Sequence, residues 1–459
     1  MKAVMYRMPG RAGTEETIMN KHIRQLALIL ALLFTAVFIT GCAAPSNNNT
    51  TEAPDQGGVN TAVGIRPAVG RGNQVAGDVE AAYITAMNSF SAAMLRNMGD
   101  GWTGVVSPVS FAMMLELLAN GGAPDVQNEL LTALMTDIGM KPTNENAARL
   151  IAALEKSFSD ITGEESRTDE GERKQCGTIK LLSAILVAEG DKFSAVFEGN
   201  AADYYNASVG NVDFRNTEEA IKAVNGWISE NTNGLIPNLF DDIAPDTTMA
   251  LLNALYFRGD WAKPFTLFRD QSAFHGLNGE VMVSMLRSTD EYRYAEIDGN
   301  QVVLIPYADS SCYMAVVLPA KDTTPTEALA GAIGLFDTCV KAPVELTMPS
   351  ITLKTKFDAM PLLSKLGLPG IQSGETLFTG IVEGGTIRLT QFIHAATLNI
   401  TEYGTEASAA TGVTGTKNAG TVFPGEVHIM SCDRPYAMAI IDGSTGAVLF
   451  ASIVNDIPA

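Results

Sequence analysis

Beyond its first 42 residues the chain holds three histidines, His275, His394 and His428, and four cysteines, Cys176, Cys312, Cys339 and Cys432. These are the side chains best suited to act as bases, nucleophiles or metal ligands near neutral pH. A serine hydrolase also needs a serine activated by a positioned histidine, and no such context accompanies any of the three. The sequence has no G-x-S-x-G turn, no H-E-x-x-H helix and no G-x-x-x-x-G-K-[ST] loop. The cysteines lack C-x-x-C spacing, so a zinc site is not expected and free buried thiols are. His394 lies in a strand-like stretch beside Ala395 and Ala396, where a histidine making a structural hydrogen bond is the simplest reading. The expectation is a protein that is not an enzyme and needs neither metal nor cofactor.

A different kind of chemistry is suggested by Thr401-Glu402-Tyr403-Gly404-Thr405-Glu406-Ala407-Ser408-Ala409-Ala410-Thr411-Gly412, which follows the alternating stretch 397–400. Most of these side chains are too small to anchor a core, and the run is too alanine-rich for a tight turn. Propensity alone would allow a helix. The composition also suits a segment that has to slide into a sheet, where bulk would block entry.

Such a segment needs a scaffold, and the remaining sequence provides one. A chain of 459 residues, 46% hydrophobic and 18% charged, can build a large globular core. Helical spacing marks 78–98, 109–120, 123–135 and 144–158. Ser107 and Pro108 form a start signal for the second of these, and Gly121-Gly122 a stop. A charged loop, 159–177, leads to a strand at 179–190, and a helix follows at 220–234. The second half is strand-rich, at 249–257, 302–307, 313–319, 344–349, 387–393 and 437–442. Helices mostly first and strands mostly later, without regular alternation, predict an α+β single domain.

The ends of the chain concern location and partners. Lys21, His22 and Arg24 precede a mostly apolar run, 26–40, too short for a comfortable membrane span. Ile39-Thr40-Gly41-Cys42 closes this run and resembles a bacterial lipobox, which implies cleavage before Cys42 and lipidation of its thiol. Residues 1–42 are thus expected to be a lipoprotein signal peptide. Residues 43–77, rich in Asn, Thr, Pro and Gly, are expected to be a flexible tether, and 78–459 the folded domain. The expected location is the bacterial cell envelope, exported, lipid-anchored and facing outward, with no membrane contact other than the anchor. The formal net charge is −20, and −23 once the five basic and two acidic residues of 1–42 are removed. That charge argues against a nucleic-acid partner.

Five stretches in order carry a resemblance to the serpin family of protease inhibitors, across about residues 79–459. Val105-Val106-Ser107-Pro108-Val109-Ser110 is similar to the family's early shutter motif. Val224-Asn225-Gly226-Trp227 with Asn231-Thr232-Asn233-Gly234-Leu235-Ile236 resembles its N-x-W-V-x-x-x-T-x-G-x-I pattern. Leu252–Trp261, followed by Phe265, is close to N-A-x-Y-F-K-G-x-W-x-x-x-F. Glu402–Thr411 resembles the hinge of the reactive loop, and Asp433-Arg434-Pro435-Tyr436 the C-terminal D-[HR]-P-F.

The resemblance implies a large central mixed sheet with helices packed around it and an exposed reactive loop, about 402–425. A target serine or cysteine protease would cut that loop, become acylated, and be carried across the molecule as the upstream part inserts as a new strand. This mode of action is a known example of strand insertion. On this reading Glu402, Gly404, Thr405, Glu406, Ala407, Ser408, Ala409, Ala410 and Thr411 form the hinge. Thr405, Ala407, Ala409 and Thr411 must be small because they pass beneath neighbouring strands, Glu406 faces outward, and Gly404 permits the backbone to swing. Ser107, Ser110, Asn253 and His394 would form a polar cluster beneath the sheet opening. Trp261, taken alone a core aromatic, would stand where insertion begins.

The family's usual loop length, counted from Glu402, puts the residue before the cut at Asn418. Lys417, one residue earlier, suits a trypsin-like pocket. Lys417–Asn418 and Asn418–Ala419 are therefore both candidate bonds. One departure from the family pattern is Ala395, where lysine is usual. Glycines 412, 415, 420 and 425 make the downstream loop unusually Gly-rich. The implied partner is a protease met by a monomer. The alternative is a non-inhibitory cell-surface binding protein of the same fold, which would be expected to carry a bulky or charged hinge.

Overall fold

A computed structural model describes residues 64–458 except 74, 100, 160–176, 233, 235, 237, 309 and 406–425. Cys42, Cys176, the signal peptide and the first three-fifths of the expected tether lie outside these residues, as does the reactive loop beyond Thr405.

The strands are β1 (Arg66–Pro67), β2 (Gly104–Val106), β3 (Gly177–Ala188), β4 (Ser208–Val212), β5 (Met249–Asp260), β6 (Thr266–Gly276), β7 (Gly279–Ile297) and β8 (Asn300–Pro306), then β9 (Cys312–Leu318), β10 (Val340–Pro349), β11 (Ile351–Asp358), β12 (Gln391–Ile400), β13 (Gly404–Thr405), β14 (His428–Ser431), β15 (Tyr436–Asp442) and β16 (Val448–Val454). The helices are α1 (Ala81–Asn97), α2 (Pro108–Ala119), α3 (Pro124–Ala133), α4 (Met140–Ser159), α5 (Ala195–Tyr205), α6 (Thr217–Asn231), α7 (Pro325–Ala332), α8 (Met360–Lys365) and α9 (Pro369–Ser373). The architecture is α+β.

Two mixed sheets carry the fold. The first runs β1-β4-β3-β5-β13-β12-β11 and the second β14-β10-β7-β8-β9-β15-β16-β2, with β6 paired to β7. Helix α2 packs on both, touching β5 of the first and β16 of the second. All twelve of its residues are buried, which explains why Pro-Val-Ser-Phe-Ala-Met-Met-Leu-Glu-Leu-Leu-Ala is apolar nearly all round. Strand β5 shows the period of two expected of a strand covered on both faces. Leu251, Leu255 and Phe257 join the large core, whereas Ala250, Leu252 and Ala254 pack with α6 residues Ala220, Val224 and Ile228 on the other face.

Parallel strands β5 and β12 are in register from Gln391↔Ala250 to Ala396↔Leu255. Above that point they part, and β13 lies between them, antiparallel to both. The first sheet is thus closed below and open above.

Two expectations change. The strand expected at 387–393 begins only at Gln391 and runs on through Ile400. Ile387 is apolar because it bridges Phe378 and is buried, outside any ladder. The tether also ends earlier than Gly77, because β1 pairs with edge strand β4. Val69 N donates to Glu198 Oε1 at 3.1 Å, and Arg71 N to Asp203 Oδ1 at 2.9 Å. Arg66 forms an ion pair with Glu198. Carboxylates on α5 thus hold a stretch whose own composition is too polar to predict packing.

Candidate functional site

The end of β2 feeds α2 through Ser107, whose side chain caps the helix by accepting from Ser110 N at 3.4 Å. This turn brings two serines under β5 and β12, at the level where Asn253 and His394 are register partners. All four residues are fully buried. Ser107 N–H donates to His394 Nε2 at 3.1 Å. A backbone amide can only donate, so Nε2 is unprotonated and Nδ1–H donates to Asn253 Oδ1, 2.8 Å away. Ser110 Oγ donates to the same Asn253 oxygen at 2.8 Å. The asparagine amide donates in turn to Ser110 O at 3.1 Å and to Ser183 Oγ of β3 at 3.4 Å.

Burial pushes the His394 pKa down to about 3, so the ring is neutral. It is not a general base: its acceptor nitrogen is occupied by an amide and its proton by an amide oxygen. What the cluster can do is hold shut the line between β5 and β12. Opening that line breaks the His394–Asn253 bond and leaves buried polar groups to find new partners.

At the upper end the two strands are separated by the chain that follows β12. Trp261 N donates to Tyr403 O and its Nε1 to Thr401 O, both at 2.9 Å, and Phe265 N donates to Glu402 O at 2.8 Å. The Trp261 ring stacks on Tyr307 with centroids 4.7 Å apart. Thr405, fully buried, pairs with Gly259, and its hydroxyl lies 2.7 Å from the Tyr307 hydroxyl.

Gly404 already meets a constraint in this state of the chain. Its φ is not in the left-handed region. A Cβ there would lie 2.2 Å from Gly259 O and 2.8 Å from Asp260 Cα, so the glycine is set by the close approach of β5. Glu402, Gly404 and Thr405 are thereby brought to Trp261. The hinge residues Glu406, Ala407, Ser408, Ala409, Ala410 and Thr411 and the bond candidates Lys417, Asn418 and Ala419 lie outside the described residues.

With this geometry, comparison with known proteins is decisive. A family model described as serpin (serine protease inhibitor) matches residues 85–457. The chain belongs to the serpin family. Relatives include an uncharacterised serpin-like protein of Thermococcus kodakarensis, 28% identical over 59% of this chain and 65% of its own length, just under two thirds. Human neuroserpin is 26% identical over 78% of this chain and 86% of its own. Among solved structures, the thermophilic serpin Tengpin in its native state superposes with a TM-score of 0.74 at 21% identity, covering 85% of this chain and 98% of Tengpin. Serpins are generally protease inhibitors acting through a reactive loop and not enzymes.

Sequence reasoning missed two members of the site. Tyr307 carries no signal, since it only closes the apolar stretch 302–307. Ser183 could have been found as the one polar interruption of the apolar run Leu181–Val187. Cys312, Cys339 and Cys432 are free and buried, and burial raises each thiol pKa, so none is a reactive nucleophile. Among the described residues no metal-binding cluster occurs.

Proposed function

We propose that this serpin is a suicide inhibitor of a serine or cysteine protease and is not itself an enzyme. The protease attacks the bond after Lys417 or Asn418 and is held as the acyl-enzyme. The loop upstream of the cut then enters between β5 and β12, separating them from the top downward and dragging the protease along. The observation that carries this reading is the position of Thr405. The uncleaved chain already has its first loop residues between the two strands, with the Thr405 side chain on the core face. On insertion, strand alternation would bring Ala407, Ala409 and Thr411 to that face, and all are small. Glu406 would then face the opposite way. Ser107, Ser110, Asn253 and His394 serve as the latch, and Trp261 with Tyr307 as the entry point.

The small hinge also weighs against the alternative of a non-inhibitory binding protein. The protein acts as a monomer, exported and anchored through lipidated Cys42 to the outside of a bacterial envelope. Incubation with a panel of serine and cysteine proteases, resolved on denaturing gels, tests the proposal. A complex stable in detergent is expected, releasing a C-terminal fragment that begins at Asn418 or Ala419. Cleavage by every protease without complex, or a trapped complex whose fragment begins upstream of Thr411, would overturn it.

A further inference from the structure

Positive charge is scarce in a chain of net charge −20, yet one cavity gathers it. The space, about 560 Å³, is bounded by the C-terminal end of α1, the β6–β7 turn, the segment from β9 into α7 and the approach to β15. Arg96, Lys321 and Arg434 line it, with Glu327 as the one carboxylate in the wall. Arg96 Nε occupies that carboxylate, 3.2 and 3.1 Å from its two oxygens. Lys321 and Arg434 form no ion pair with any described residue. Arg434 is steadied by a bond from Nη2 to Pro319 O at 2.7 Å, which leaves the rest of its fork available. Asp322 and Asp433 are chain neighbours of the two cations but do not line the space.

The remaining wall adds donors. Helix α7 begins here, with the Thr324 hydroxyl accepting from Glu327 N at 3.2 Å. The preceding N–H, of Thr326, has no intrahelical partner, and Thr323 and Thr326 also line the space. Like charges gathered in a concavity repel one another and focus a positive potential, which a bound oxyanion relieves. Two unpaired cations balance a dianion, and the guanidinium fork suits a tetrahedral oxyanion. The volume falls in the range of small-molecule sites and leaves room for an organic body beside the ion.

We propose that this cavity binds a small soluble phosphomonoester, its phosphate held by Lys321, Arg434 and the first turn of α7. Isothermal titration at fixed ionic strength, using glycerol 3-phosphate, inorganic phosphate and acetate, tests it. Saturable binding of glycerol 3-phosphate is expected, at least about tenfold tighter than acetate. Lys321→Gln, at an exposed position, should weaken it about tenfold or more with circular dichroism unchanged. Arg434→Lys, which keeps the charge and loses the fork, should also weaken it. Absence of saturable heat with glycerol 3-phosphate, equal affinity for acetate, or an unchanged affinity in Lys321→Gln would each overturn the assignment.

Discussion

Thr405 meets a constraint that exists before any cleavage, because its side chain is already buried against Tyr307 between two strands. An arginine there would place an unpaired guanidinium in the same space, at a cost of several kcal/mol by general estimate, about 3–5 kcal/mol for an uncompensated buried charge. Thr405→Arg is therefore expected to act as a substrate: loop cleavage persists while gel-stable complex falls at least about tenfold. Complex formation equal to the parent would mean that insertion follows another register. A second buried group sets a pH dependence. Glu116 of α2 is buried, and its carboxyl accepts only the Tyr83 hydroxyl, at 3.0 Å, among the bonds described. Burial raises its pKa well above the usual range, the tyrosine bond opposing in part. The native state thus holds a proton that the unfolded chain has lost, so stability falls as pH rises from the ordinary carboxyl range through the raised value. His394 works on the other side. Its folded pKa of about 3 lies below the ordinary histidine value, so its contribution is complete above that ordinary value and lost as pH falls toward 3. Glu116→Gln should leave the unfolding midpoint at pH 4 unchanged and raise it at pH 8 by about 2 °C or more, read by thermal melts at both pH values. An equal shift at both would show that packing, and not ionisation, is responsible.

At the scale of elements, the segment 64–73 contributes a two-residue edge strand, β1. Its interactions are mostly backbone amides given to two carboxylates, Glu198 and Asp203, plus the Arg66–Glu198 pair, which holds the Glu198 pKa below its usual value. Deleting residues 64–73 should expose the outer edge of β4 and speed hydrogen exchange there by about tenfold or more, with exchange in β15 unchanged. Uniform change across both strands would point to global destabilisation instead. The same segment marks a limit of sequence reasoning. Signals intrinsic to a segment were legible: Ser107-Pro108 and Gly121-Gly122 frame α2, and the apolar run 249–257, broken only by Asn253, identifies the core of β5. Signals supplied by a partner were not. Strand β1 depends on carboxylates over a hundred residues away. Ile387 and Leu389 alternate like a strand but are apolar because they pack on the core without a ladder. Strand β7, 19 residues long, escaped because its exposed face, with Arg287, Thr289 and Glu291, dilutes the apolar pattern. At the candidate site, the family motifs located Ser107, Asn253, His394 and Trp261. The reason for Gly404 required the distance to Gly259, which no motif encodes.

At the scale of the whole molecule, the inhibition proposed above would couple one cut to a strand's worth of travel. A loop running from Thr405 to Lys417 spans about 40 Å when extended, and its entry must separate the register pairs from Ala396↔Leu255 down to Gln391↔Ala250. The His394–Asn253 bond sits within that line, so the latch lies in the path of the strand. In the proposed location, an acyl chain on Cys42 would hold the protein at one end and leave the sheets free to rearrange. The proposed anchoring has a chemical basis: one cysteine carrying several acyl chains binds a bilayer stably, where a single chain would not. With a net charge of −23 beyond Cys42, attraction to an anionic membrane surface cannot substitute for that lipid. Cys42→Ser in a bacterial host should thus move the protein from the membrane fraction to the soluble or medium fraction, or leave it unprocessed at the mass of the precursor. In the parent, mass analysis of the N-terminal peptide should find Cys42 first and acylated. A variant that keeps the parent's processing, mass and membrane fraction would remove the anchor from the account.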